Sequence, residues 1–183
     1  KQEKDGTYTT FSFANSGYLS LNMEFTYTPQ EKLPGTETEL FMDMRYDIVR
    51  NDYHSFIGMK IVTGSQELVV TELGRIYLEG NTQEHAVKIV DAETMQDVPG
   101  ANVIVKGGEK DKFTYVKLQT PITLQPNHMY YLMSREYADG DTWCEGNASY
   151  LLTDDDAATL LGRAFFIVGY NDDLDVNHGY VGI

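Results

Sequence analysis

The chain is 183 residues long, and 14 Lys+Arg against 28 Asp+Glu leave a formal net charge of −14 with the four His counted neutral. That deficit argues against a nucleic-acid partner and against an anionic membrane surface, both of which bind through clustered Lys and Arg. A hydrophobic fraction of 42% with 12% aromatics excludes a disordered chain, and no apolar run approaches the ~20 residues that span a bilayer.

The length predicts a single domain over residues 1–183, burying roughly two-thirds of its unfolded surface. Lys1–Gly6 is polar and charged and carries no signal-peptide pattern. The first strand candidate is Tyr8–Phe13. In Tyr18–Tyr27 the alternation is clean: Leu19, Leu21, Met23, Phe25 and Tyr27 oppose Ser20, Asn22, Glu24 and Thr26. A half-buried strand requires this period, because successive side chains point to opposite faces. Leu40–Val49 repeats it, with Leu40, Met42, Met44, Tyr46 and Ile48 against Asp43, Arg45 and Asp47. Further strands are predicted over Phe56–Val62, Leu68–Leu78, Ala86–Val90, Val103–Lys106, Phe113–Leu118, Ile122–Leu124, Met129–Ser134 and Phe165–Tyr170.

Turn chemistry separates these runs at Leu33-Pro34-Gly35, Thr63-Gly64-Ser65, Glu79-Gly80-Asn81, Val98-Pro99-Gly100, Gly107-Gly108 and Gln125-Pro126-Asn127. One segment reads as helix. Thr153 with Asp154, Asp155 and Asp156 supplies a cap and first-turn acids, Ala157–Leu161 follows, and Gly162 is a stop. Many short strands at roughly 8–12-residue spacing predict an all-β fold, an antiparallel sandwich or barrel with one short connector helix. Cys144 is the only cysteine, so no intramolecular disulfide forms. The apolar Tyr180-Val181-Gly182-Ile183 at the end reads like the start of a strand, so the chain is expected to be a processed or excised piece of a longer polypeptide.

About half of the chain, from Tyr53 onward, resembles a bacterial extracellular β-sandwich module. The matching stretches are Phe56-Ile57-Gly58-Met59-Lys60, Val70–Arg75 with its Leu73-Gly74-Arg75, and Gly80-Asn81. His85–Asp91, the Val98-Pro99-Gly100 turn, Phe113–Leu118, Pro121–Leu124, Tyr130–Glu136 and Asp139–Cys144 continue it. The last stretch departs from the family's Gly-Gly-Asp-x-Trp-Tyr at Asp139 and Cys144. The module is a domain of unknown function found in secreted, often carbohydrate-active, proteins. The resemblance implies a jelly-roll-like sandwich, an extracellular or cell-surface setting and attachment to a larger protein; it implies no known activity.

The loop from Tyr137 to Tyr150 holds the only tryptophan, Trp143, among Asp139, Asp141, Glu145 and Asn147. A flat ring that covers a sugar's C–H face, flanked by acids and amides that bond hydroxyls, is the make-up of a glycan platform. The competing reading is that Trp143 plugs one end of the sandwich while the acids cap turns. Glu136, just before this loop, is another hydroxyl partner in the glycan reading, and it also pairs with Arg75 across neighbouring strands, which would fix register. His85 is either a ligand contact or a satisfied strand histidine. Asp173, Asp175 and Asn177 alternate as in the opening of a calcium loop, with glycine one position late at Gly179, and make Ca²⁺ the candidate cofactor.

No nucleophile elbow, phosphate-cradling loop or His-Glu-x-x-His zinc motif occurs. The sequence therefore reads first as a non-catalytic carbohydrate-binding module whose partner is a polysaccharide or cell-surface glycan. The alternative is a structural or protein-interaction domain, an adhesin or spacer without ligand; a glycoside hydrolase comes third, since 28 acids always permit some suitable pair.

Overall fold

The computed structural model describes residues 21–26, 37–46, 48–145, 149–152, 157–166 and 179–180. Among them the regular elements are all strands. In chain order these are β1 (Leu21–Thr26), β2 (Glu37–Glu39), β3 (Phe41–Arg45), β4 (Ile48–Arg50), β5 (Ser55–Thr63), β6 (Leu68–Ile76) and β7 (Glu84–Asp91). There follow β8 (Asp97–Lys106), β9 (Phe113–Leu124), β10 (Met129–Glu136), β11 (Trp143–Glu145), β12 (Ser149–Leu152), β13 (Ala158–Phe166) and β14 (Gly179–Tyr180).

They form a four-stranded sheet, β2-β1-β6-β9, a six-stranded sheet, β14-β13-β5-β10-β7-β8, and two ribbons, β11-β4 and β12-β3. The pairings are antiparallel, as the alternating pattern of the sequence demands. The main apolar cluster draws on both large sheets. Met23, Leu73 and Leu124 come from the four-stranded sheet; Met59, Val87, Val103 and Leu132 come from the six-stranded one. Each such side chain contributes about 1.5–3 kcal/mol on full burial. The other face of the six-stranded sheet carries a second cluster of Phe56, Val90, Tyr131, Met133 and Ala164. The Lys88 ammonium stands 4.3 Å from the Phe56 ring centroid there.

Four expectations need correction. The predicted connector helix is absent from its described part, because Ala158–Phe166 is strand. Ala157 and Ala158 are buried in the main cluster, and β13 pairs along β5 from Ala158↔Thr63 to Phe165↔Ile57. A two-turn helix is marginal on its own, whereas this ladder satisfies β5's second edge and buries apolar surface. Gly162, at φ 152°, absorbs the register shift after Leu160.

Val98-Pro99-Gly100 does not end a strand either; it lies inside β8. The β7–β8 register jumps from Lys88↔Asn102 to Val90↔Asp97, so these residues form an outward irregularity with Gly100 at φ 79°. Such an interruption is tolerated on an edge strand, where proline's missing N–H costs no ladder bond. Finally, Phe113–Leu118 and Ile122–Leu124 are one strand, with Pro121 in the stretch that β6 leaves unpaired, while Leu40–Val49 breaks into separate short strands. The predicted strand Tyr8–Phe13, the turn Leu33-Pro34-Gly35 and the cap residues Thr153–Asp156 lie outside the described residues.

Candidate functional site

Four ionisable side chains converge at one end of the core. Arg75 projects from β6 in the four-stranded sheet, and His85 and Glu136 project from β7 and β10 in the six-stranded sheet. Asp141 sits on the turn between β10 and β11. Period two places His85 in line with Val87 and Ile89, and Glu136 in line with Leu132, so polar groups occupy positions that are apolar further along the same strands. Arg75, His85 and Glu136 are 4%, 2% and 0% exposed.

The Arg75–Glu136 pair is bidentate. Nε donates to Oε1 at 3.2 Å and Nη2 donates to Oε2 at 3.0 Å. Arg75 further donates to the carbonyls of Ile76 at 3.2 Å and Thr142 at 2.9 Å. The sequence predicted this pair between neighbouring strands; it spans the two sheets instead. Guanidinium and carboxylate thus tie one sheet to the other where aliphatic side chains do so elsewhere.

His85 lies between two carboxylates. Its Nδ1 is 2.8 Å from the Arg135 carbonyl and 3.2 Å from Glu136 Oε2, and its Nε2 is 3.2 Å from Asp141 Oδ2. Burial alone lowers the imidazole's proton affinity, but the Glu136 and Arg135 acceptors outweigh it and the Arg75 charge, holding the His85 pKa above its ordinary value. Burial likewise raises Glu136, yet the His85 bond and the Arg75 charge hold its carboxyl below the ordinary value. Asp141 is also held low, chiefly by backbone N–H donors that outweigh its burial.

Those donors are Thr82 N at 2.9 Å and Gln83 N at 2.8 Å. In return Asp141 N donates to Gln83 Oε1 at 2.7 Å. Asn81 repeats the reciprocity one residue on: Nδ2 donates to the Thr142 carbonyl at 2.8 Å, and Thr142 N and Oγ1 both donate to Oδ1 at 3.0 Å. Asn81 and Gln83 were not singled out from the sequence. The sequence signals here are Asn81's place in the Gly80-Asn81 turn and in the resemblance, since side chain–backbone bonds leave no periodic trace. A recess lined by Arg75, Asn81, Gln83, His85, Lys106 and Asp141 encloses about 10 Å³. That is room for a single water molecule.

The other predicted residues are spread more widely. Trp143 is fully buried, with its ring 5.0 Å from the Arg50 guanidinium on the paired strand β4. An indole sealed in this way presents no face to a sugar. Tyr137 is half-buried, edge-on to His54 at 5.7 Å and 5.5 Å from the Arg135 guanidinium. Asp139 is exposed at φ 59°, its N–H bonded to the Asn51 carbonyl at 2.7 Å. Tyr150 pairs with Met44 on the β12–β3 ribbon. Asp173, Asp175 and Asn177 lie outside the described residues, and no group of three or more His, Cys, Asp or Glu is placed to hold a metal among the described ones.

The chain matches no family model, no curated protein and no solved structure.

Proposed function

We propose that the chain is a non-catalytic extracellular β-sandwich module, jelly-roll-like in its layering, that serves a larger secreted or cell-surface protein as a structural or protein-interaction domain. Its layering is supported by an apolar cluster shared between the two large sheets. The interaction role rests on one observation. The residues that would grip a sugar are consumed internally: Asp141 by Thr82, Gln83 and His85, Glu136 by Arg75 and His85, and Trp143 by burial. A site whose donors and acceptors already satisfy one another has little left for a hydroxyl.

The test is retention on a glycan array and on immobilised polysaccharides, read beside thermal melting. The expected result is no retention by the wild type, and a large loss of melting temperature without any change in retention for Asp141→Ala. Wild-type retention that disappears in Asp141→Ala, at unchanged melting temperature, would overturn the reading.

A second reading, a carbohydrate-binding module, draws on Tyr137, a predicted aromatic that is half-buried. The Tyr137 ring, with the Arg135 guanidinium over one face, His54 in a T-shaped contact and exposed Asp139 two residues on, has the apolar and polar pieces of a small sugar platform on its other face. Glycan retention lost in Tyr137→Ala but kept in Trp143→Phe would favour it over the first reading.

A further inference from the structure

We propose that His85 is a buried imidazolium whose proton latches the segment 137–145 shut, so that this end of the domain opens as the pH rises. The geometry of acceptors carries the argument. Each ring nitrogen faces only acceptors: the Arg135 carbonyl and Glu136 Oε2 at Nδ1, and Asp141 Oδ2 at Nε2. A neutral imidazole carries one N–H. Its other nitrogen would then point a lone pair at the Asp141 oxygen lone pair, 3.2 Å away. Only the doubly protonated ring satisfies both sides.

Charge agrees. Arg75 from β6 and the imidazolium balance Glu136 from β10 and Asp141 from the turn, whereas a neutral ring leaves the cluster one negative charge in excess. The surroundings add little. Across β8 the residue opposite His85 is Val105, and Lys106 beside the recess is engaged with Glu84 at 3.2 Å. Asn81 and Gln83 are neutral, and the Tyr137 ring is 6.1 Å away. The group that opposes protonation is Arg75, itself neutralised by Glu136.

Loss of the proton acts on one element more than on the others. Nδ1 has two acceptors and keeps its hydrogen, so the vacated nitrogen is the one facing Asp141. Asp141 lies two residues before Trp143, and among the described residues β11 pairs with β4, in a ribbon apart from both large sheets. Deprotonation therefore removes one hold on a turn that Thr82, Gln83, Asn81 and Arg75 also bind, and the indole just beyond it is what a loosened turn would uncover.

Trp143 is the only tryptophan of the chain and reports the event directly. In the full chain, its emission should shift to the red and its acrylamide quenching rise severalfold as the pH increases, with a midpoint above the ordinary histidine value of 6.5. The midpoint should vanish in His85→Gln and persist in His128→Gln. Independently of any variant, the His85 ring carbon–proton signal in a histidine-resolved NMR titration should stay in the imidazolium position at pH 6.5. An unchanged wild-type emission from about pH 5 to about pH 9, or an identical midpoint in His85→Gln, overturns the latch. So does a His85 signal titrating at or below 6.5. If His85→Gln does not fold, the wild-type NMR titration decides alone.

Discussion

Glu136 shows how much one buried group can govern. It answers Arg75 with two bonds and His85 with a third, at no exposure to solvent. Replacing it by Gln leaves Arg75 buried without a counter-charge, and urea unfolding should show a loss of about 3–5 kcal/mol. Replacing both partners by apolar residues, as in Arg75→Met with Glu136→Leu, should recover most of that loss, because neither charge is then stranded. A double variant as unstable as the single one would mean the pair is not the source of the cost. The pH dependence has two limbs. His85 binds its proton more tightly folded than unfolded, so its stabilisation is complete below 6.5 and fades as the pH rises through the elevated folded value. Glu136 and Asp141 bind theirs less tightly, so their stabilisation is present above 4.5 and 3.8 respectively and fades as the pH falls through the depressed values. Melting temperature should therefore peak on the acid side of neutrality and decline toward both ends. The residue types of the cluster could be read in sequence, as could the Arg75–Glu136 pairing. Whether the Trp143 ring faced out could not, because acids around an aromatic look the same when they bind hydroxyls and when they bind backbone.

Strands were read well where alternation ran unbroken. β1, β5, β6, β7 and β10 lie within a few residues of their predicted bounds, since one buried face imposes the period. Failure came where partners were distant. Nothing local in Thr153–Gly162 announces the open edge of β5; its acids and alanines state a helix, which pairing overrules from Ala158 onward. Two sites on β5 carry predictions. A β-carbon at Gly58 would collide with the Leu132 carbonyl across the β10 ladder. Gly58→Ala should accordingly cost about 2–3 kcal/mol, and a neutral result in chemical denaturation would contradict the close approach. At the other end, Thr63 Oγ1 approaches the Gln125 carbonyl at 2.6 Å and the His128 carbonyl at 3.2 Å, and accepts from His128 N at 2.9 Å. This hydroxyl stitches β5 to the β9–β10 turn. Thr63→Val keeps the shape but strands those groups, so a loss of about 1–3 kcal/mol is expected by the same measurement.

With a net charge of −14, self-repulsion opposes compaction. Adding monovalent salt should raise the melting temperature, since the exposed acids are screened while the buried Arg75–Glu136 pair is largely shielded from ions. A falling melting temperature would place the electrostatic weight in surface pairs such as Lys110–Glu79 instead. The arrangement of strands governs assembly as well as stability. β5 is flanked by β10 on one side and β13 on the other, and both lie more than sixty residues further along the chain at their nearest paired positions. Among the described residues of the six-stranded sheet, the short hairpin is β7–β8. Refolding should accordingly take roughly milliseconds to seconds, not microseconds. A nascent or threading polypeptide reaching only to β10 would hold a middle strand with one flank bare, adhesive to any other such chain, until its late-synthesised neighbour arrives to close it.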